Sequence, residues 1–217
     1  MNKYDIVLLD LDGTISESGE GILSCVKIAF EQLKKPLPDD KTLASFIGPP
    51  LQYSFGKCGF SEEEIAAAVN IYKKNFVETG IYRNKTYDGI PELLAALQAN
   101  GVRLAVATTK YAPFAEKIIG MLQIGQYLEL TAGATADDTR RTKAAVIRYA
   151  LEKMGADRLS RVVMIGDTAF DAEGAAAVGI NFIGCLYGYG SREEMEAYCP
   201  TAPFVSCPSE IMHLVIQ

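Results

Sequence analysis

The chain has 217 residues, 49% of them hydrophobic and 22% charged, with a formal charge of -6. This is the composition of an ordinary globular protein, long enough for one sizeable core or for a core that carries a smaller insertion. The acidic balance argues against nucleic-acid polymers and anionic membranes as partners, because both are bound through basic surfaces.

The chain reaches an apolar core strand within a few residues, which leaves no room for a signal peptide. No apolar run approaches the roughly 20 residues that span a bilayer, so a cytoplasmic protein is expected. Cys25, Cys58, Cys185, Cys199 and Cys207 are scattered, with no Cys-x-x-Cys pair. Free thiols are predicted rather than a zinc site or a disulfide framework.

The first apolar run, residues 6–9, reads as a buried strand that empties into Asp10-Leu11-Asp12-Gly13-Thr14. Positions two apart in extended backbone project to one side, so Asp10 and Asp12 can approach a common centre. Residues 20–35 then carry Ile22, Val26, Ala29, Phe30 and Leu33 at helical spacing, and Pro36 and Pro38 stop that helix. A shorter helix is predicted over 40–46. Ile47-Gly48-Pro49-Pro50 breaks it into a rigid loop. Ser61 and Glu64 form a capping box for a helix with Ile65, Val69, Tyr72 and Phe76 on one face.

From Lys85 onward strand and helix alternate. Asp88-Gly89-Ile90-Pro91 opens a helix that Asn100-Gly101 ends, and a strand over 102–107 empties into Thr108-Thr109-Lys110. A helix over 113–122 and a weaker strand over 127–131 follow. Thr142 starts a helix with Ala145, Val146, Tyr149 and Leu151 predicted to face inward. Residues 162–165 form a strand delivering Gly166-Asp167, followed by a helix over 171–178, a strand over 181–184 and a helix capped at Ser191.

Strands each followed by a helix predict an α/β fold, a doubly wound parallel sheet with helices on both faces. The all-helical block of residues 16–82 interrupts this sheet after its first strand and should sit over that edge as a cap. Ligands bind such sheets at the carboxyl ends of the strands. Asp10, Asp12, Thr108 and Asp167 are all placed there. With Asp171, four carboxylates converge, and a hard, oxygen-seeking dication such as Mg²⁺ is their natural neutraliser. Thr108 and Lys143 supply the hydroxyl and positive charge that a phosphate dianion also needs.

Asp10-Leu11-Asp12-Gly13-Thr14, Thr108 after a strand, Lys143 at a helix start and Gly166-Asp167-x-x-x-Asp171 resemble the four ordered motifs of the haloacid dehalogenase superfamily. The resemblance spans nearly the whole chain, with a Rossmann-like core of residues 1–15 and 83–217 and the helical cap of 16–82. Phe46-Ile47-Gly48-Pro49-Pro50-Leu51, Tyr87-Asp88-Gly89-Ile90-Pro91 and Leu186-Tyr187-Gly188-Tyr189-Gly190 are similar to phosphoglycolate-phosphatase-like and 5'-nucleotidase-like members.

The resemblance implies a Mg²⁺-dependent phosphatase acting on a small phosphorylated metabolite, such as phosphoglycolate or a nucleoside 5'-monophosphate, as a monomer or homodimer. It makes Asp10 the nucleophile that forms an aspartyl-phosphate and Asp12 the acid and base that serves the leaving group and then water. Asp10, Asp167 and the backbone carbonyl of Asp12 would hold the metal, supported by Asp171. Thr108, Thr109 and Lys143 would hold phosphate oxygens, and Phe46, Ile47, Gly48, Pro49 and Pro50 would select the substrate. Lys57, Arg83 and Lys85 are further candidate anion contacts.

Three rival readings follow from the same fold. A sugar-phosphate mutase uses a cap histidine near the position of Ile22, and the one histidine here is His213. A dehalogenase would not keep Asp12, and a non-catalytic phosphate-sensing module would have lost Asp12 or Lys143. Tyr111 stands where relatives often have proline, Thr168-Ala169-Phe170 is less polar than usual, and residues 136–142 carry Asp137, Asp138, Arg140 and Arg141. These departures leave the chemistry intact and bear on the substrate.

Overall fold

The computed structural model describes residues 2–137 and 139–216, so that Asp138 lies outside the described residues. The first apolar run forms strand β1 (Ile6–Leu9), buried along its whole length. Its alternation divides the interior, with Val7 and Leu9 in one apolar cluster and Ile6 and Leu8 in a second one across the sheet.

Beyond β1 come a short strand β2 (Ser16–Glu17) and four helices, α1 (Gly19–Gln32), α2 (Asp40–Ala44), α3 (Leu51–Lys57) and α4 (Glu62–Glu78). The chain returns through β3 (Lys85–Thr86), which pairs antiparallel with β2 through Ser16 to Thr86 and Glu17 to Lys85. The helical block is therefore tied to the rest by a two-stranded neck. Alternation then follows: α5 (Ile90–Ala99), β4 (Arg103–Tyr111), α6 (Ala112–Met121), β5 (Leu130–Ala134), α7 (Lys143–Met154), β6 (Val162–Gly166), α8 (Ala169–Val178), β7 (Asn181–Cys185), α9 (Arg192–Glu196), β8 (Phe204–Val205) and α10 (Ile211–Val215). The sheet runs β5-β4-β1-β6-β7-β8, and each neighbouring pair is parallel. Helices α5, α6 and α10 bury apolar residues on the Val7 side, and α7 and α8 on the Leu8 side. This is the expected doubly wound α/β sheet, and β1 is a central strand flanked by β4 and β6.

The helical block has an aromatic interior. Phe30 meets Phe46, Phe55 and Phe60 with ring centroids 5.9, 5.8 and 5.1 Å apart. Such pairs add on the order of 1 kcal/mol each beyond the area they bury. The predicted capping box opens α4, with the Ser61 hydroxyl accepting from the Glu64 N–H and the Glu64 carboxylate accepting from the Ser61 N–H.

Several boundaries differ from the sequence reading. Residues 51–57 form a helix that was not anticipated: Pro50 stands at its N-cap, a place where a missing N–H costs nothing. Strand β4 continues to Tyr111 instead of ending at Ala107, with an irregular register against β5 between those two residues. Thr108, Thr109 and Lys110 thus lie within the strand and not in a loop after it. Strand β5 covers 130–134 instead of 127–131, because a 3-10 turn occupies Gly125–Tyr127. On α7 the buried positions are Val146, Ile147, Ala150, Leu151 and Met154, while Ala145 and Tyr149 are half-buried. The short elements β8 and α10 were not foreseen, being under the length at which periodicity is readable.

Candidate active site

Asp10 leaves the end of β1 and Asp167 the end of β6, neighbouring strands whose register pairs Leu9 with Ile165. Both acids therefore open at the same sheet edge. Gly13 makes this proximity feasible: its φ is +86°, and a Cβ there would overlap the Asp167 carboxylate. Asp171 comes back to the same point from the first turn of α8, where it closes a capping box with Thr168. One of its oxygens accepts from the Thr168 N–H and Oγ1 at 3.0 and 2.8 Å.

Asp10, Asp167 and Asp171 can each offer an oxygen within 4.8 Å of the others, and all three are buried. Lys143, the first residue of α7 and 4% exposed, lies 2.8 Å from Asp10 Oδ1 and 2.6 Å from Asp171 Oδ1. These are charge contacts without hydrogen-bond alignment, for neither oxygen has a hydrogen-bond partner and the aligned ammonium bond goes to the Ala107 carbonyl. Burial, and after it the neighbouring carboxylates Asp171 and Asp12, raise the Asp10 pKa to about 6 against the pull of Lys143. Asp167 is raised well above the carboxylate range by burial and by Asp171 and Asp10, although the Tyr189 N–H and the Thr14 hydroxyl donate to it. Burial alone would lower Lys143, but Asp10 and Asp171 hold its ammonium charged beyond the ordinary lysine range. Three buried carboxylates face one lysine. That surplus of negative charge on three clustered carboxylates suits an oxygen-coordinated dication.

Asp12 takes a different partner. Its Oδ2 lies 2.6 Å from Lys110 Nζ, with both side chains about nine-tenths buried, and its Oδ1 has no hydrogen-bond partner. The same ammonium sits 4.7 Å from the centre of the Phe76 ring on α4, within cation–π range. Asp12 and Lys110 form part of the wall of a partly open cavity of about 110 Å³ between the sheet edge and the helical block. A larger open cleft of about 610 Å³ adjoins it and reaches Thr142 and Lys143. Thr109 and Arg141 border both spaces.

The structure brings Asp10, Asp167, Asp171 and Lys143 into contact, with Asp12 at the same mouth. Thr108 is buried, and its hydroxyl accepts from the Lys110 N–H at 3.2 Å. Thr109 donates to the Gly48 carbonyl at 3.0 Å, joining β4 to the helical block. Phe46, Gly48, Pro49 and Pro50 line the small cavity, whereas Ile47 is buried and does not line it. Lys57, Arg83 and Lys85 do not reach it: Lys57 lies over the Tyr53 ring, and the other two pair with Glu20 and Glu17 on the surface. Lys110 is the residue that the sequence reading passed over. No direct signal for it stands in the sequence, because the pattern ends the strand at Ala107 and the extension that carries Lys110 comes from pairing with β5. The apolar Phe170 also finds its reason, meeting Tyr53 of α3 edge-on at 5.5 Å and seating the helical block on α8.

A parallel α/β sheet with buried carboxylates and a lysine at its carboxyl edge, roofed by a helical insertion, defines a class of hydrolase with an acidic centre. Residues 7–185 match the haloacid dehalogenase-like hydrolases, and the chain belongs to that family. It is 40% identical to a 5'-nucleotidase of Pseudomonas aeruginosa, over 92% of this chain and 90% of that protein. It is 37% identical to the tyrosine-protein kinase PtkA of Mycobacterium tuberculosis over 87% of this chain, but spans 64% of that longer protein. Among solved structures, a predicted phosphatase from Clostridium acetobutylicum superposes with a TM-score of 0.91 at 36% identity, covering 97% of both chains.

Proposed function

We propose that this phosphatase of the haloacid dehalogenase-like family hydrolyses a small phosphate monoester through an aspartyl-phosphate on Asp10, with residues 16–82 as its cap. The observation that carries the reading is Asp10 itself. It is 2% exposed at the mouth of the central strand, held against Lys143, with a second carboxylate, Asp12, two residues on at the same mouth.

In the first half-reaction an Asp10 carboxylate oxygen bonds to phosphorus as the ester P–O bond breaks, and Asp12 gives its proton to the departing alkoxide. In the second, water attacks phosphorus, Asp12 takes the proton, and the acyl phosphate opens to inorganic phosphate and free Asp10. The unpartnered Asp12 Oδ1 is the atom for this transfer, since Lys110 occupies Oδ2. Lys143 and Thr108 hold the transferring oxygens, and Lys143 stays charged throughout. Asp10 and Asp167 would hold Mg²⁺ with the Asp12 carbonyl, and Asp171 would support it. The ion would offset the negative charge that accumulates as the phosphoryl group moves.

Phosphoglycolate and nucleoside 5'-monophosphates are the candidate substrates. Phosphate release from p-nitrophenyl phosphate and a panel of metabolite esters tests the proposal. Turnover that needs Mg²⁺ and disappears in Asp10→Asn is expected; no release from any ester would refute it.

A further inference from the structure

The protein is acidic as a whole, yet the inner cavity is not. Three cationic side chains border it, Lys73, Lys110 and Arg141, and Asp12 is the single acidic one among the described residues. Lys110 is committed to Asp12. Lys143, which faces the nucleophile, lines the outer cleft and not this cavity. Lys73 and Arg141 are thus surplus to the charge that the transferring phosphoryl group calls for, and neither makes an ion pair with a described carboxylate.

Lys73 is held in place by its surroundings, whereas Arg141 is exposed at the rim of the cavity. Lys73 projects from α4 of the cap, half-buried, with its ammonium 5.1 Å from the centre of the Tyr111 ring of β4. Arg141 follows a pinned segment. The preceding Arg140 donates to the Gly133 carbonyl at 3.1 Å and stacks 3.8 Å from the centre of the Tyr149 ring. The Thr135 and Thr139 hydroxyls lie 3.1 Å apart, and Thr135 accepts from the Arg140 N–H. Arg140 is therefore occupied on the core side, and Thr142 starts α7, which leaves Arg141 at the junction of cavity and cleft.

We infer that Lys73 and Arg141 form a subsite for a second anionic group on the substrate, a carboxylate or a second phosphate, a few atoms from the phosphoryl group that is transferred. This rests on the phosphatase reading and sharpens it. A cavity of about 110 Å³ suits a short spacer between the two anionic groups. One cation comes from the cap and one from the core. A ligand charge that engages both favours the closed arrangement over an open one.

The test compares two-carbon esters with and without the second charge, namely phosphoglycolate, a two-carbon bisphosphate and ethyl phosphate, and adds AMP as a larger ester without it. For the wild type, kcat/KM is expected to be at least about tenfold higher for the better of the two doubly anionic esters than for ethyl phosphate, and that one identifies the group. In Lys73→Gln/Arg141→Gln this ratio should fall about tenfold or more, chiefly through KM. A wild type that turns over ethyl phosphate or AMP as well as either doubly anionic ester overturns the subsite while leaving the phosphatase reading standing. A double variant that keeps the wild-type ratio also overturns it. Failure of the wild type to release phosphate from p-nitrophenyl phosphate or any of these esters would bring down both.

Discussion

At the sheet edge, Asp10, Asp167, Asp171 and Lys143 are at most 4% exposed, and each springs from a strand end or the first turn of a helix. The cap above them is attached by other means. Its polar ties to the core at the site are few: the Thr109 hydroxyl on the Gly48 carbonyl, and the Ser18 and Gly19 amides donating to the Tyr189 hydroxyl at 3.0 and 2.8 Å. Other contacts run through rings: Tyr53 on Phe170, Phe76 on Phe114, the Lys110 ammonium over Phe76 and the Lys73 ammonium over Tyr111. Charges in a dry site demand fixed partners, whereas apolar contacts are non-directional and can be broken and remade. The floor is therefore fixed by charge, and the roof rests on it through contacts that are easier to rearrange.

That contrast can be broken most severely from the floor. Asp10→Asn keeps the shape but removes the carboxylate proposed to attack, and turnover should fall on the order of 10⁴-fold or more in a phosphate-release assay. Lys143→Met leaves Asp10 and Asp171 buried without their shared cation. It should cost about 3–5 kcal/mol in urea unfolding without metal, with part recovered on adding Mg²⁺. An unchanged unfolding midpoint would mean that the floor is not held by charge.

Effects at the seam should be smaller. Lys110→Met frees Asp12 from its partner and should lower kcat on the order of 10²-fold, with little change in the unfolding midpoint of the core. Gly48→Ala places a Cβ 2.7 Å from the Thr168 methyl at a φ of +100°. It should cost about 1–3 kcal/mol and raise KM more than it lowers kcat, because it strains the closed roof and leaves the carboxylates alone.

The smallest expected effect is a pH slope. The folded pKa of Asp10 is about 6, above the carboxylate's ordinary value, so its contribution to stability is fully present below about pH 4 and is lost as pH rises through about 6. Asp167 is shifted in the same direction. In EDTA, melting curves of Asp10→Asn should show a shallower decline over that window than those of the wild type. The decline should not vanish, because Asp167 still contributes.

Much of this was legible along the chain because apolar runs with a period of two and stripes with a period of 3.6 report local burial. They identify β1, α4 and β6 and deliver Asp10 and Asp167 to one edge. Helix α3 was not legible, since Leu51–Lys57 is short and its start is marked by Pro50, which equally suits a loop. The extension of β4 was hidden for a related reason: Thr108, Thr109 and Lys110 are polar, and their strand geometry comes from pairing with β5 and not from a buried stripe.

By itself the sequence determined the parallel sheet, the helical insertion after its first strand and the gathering of four carboxylates with Lys143 at one edge. Those features follow from local periodicity joined to the rule that such sheets bind at their carboxyl ends. Only the tertiary structure decided that Lys110 takes Asp12, that Thr109 turns to Gly48, and that Lys73 and Arg141 converge on the inner cavity. Each of these pairings joins segments far apart in sequence. Periodicity states which side of an element is buried; it carries no information about which residue of another element lies opposite.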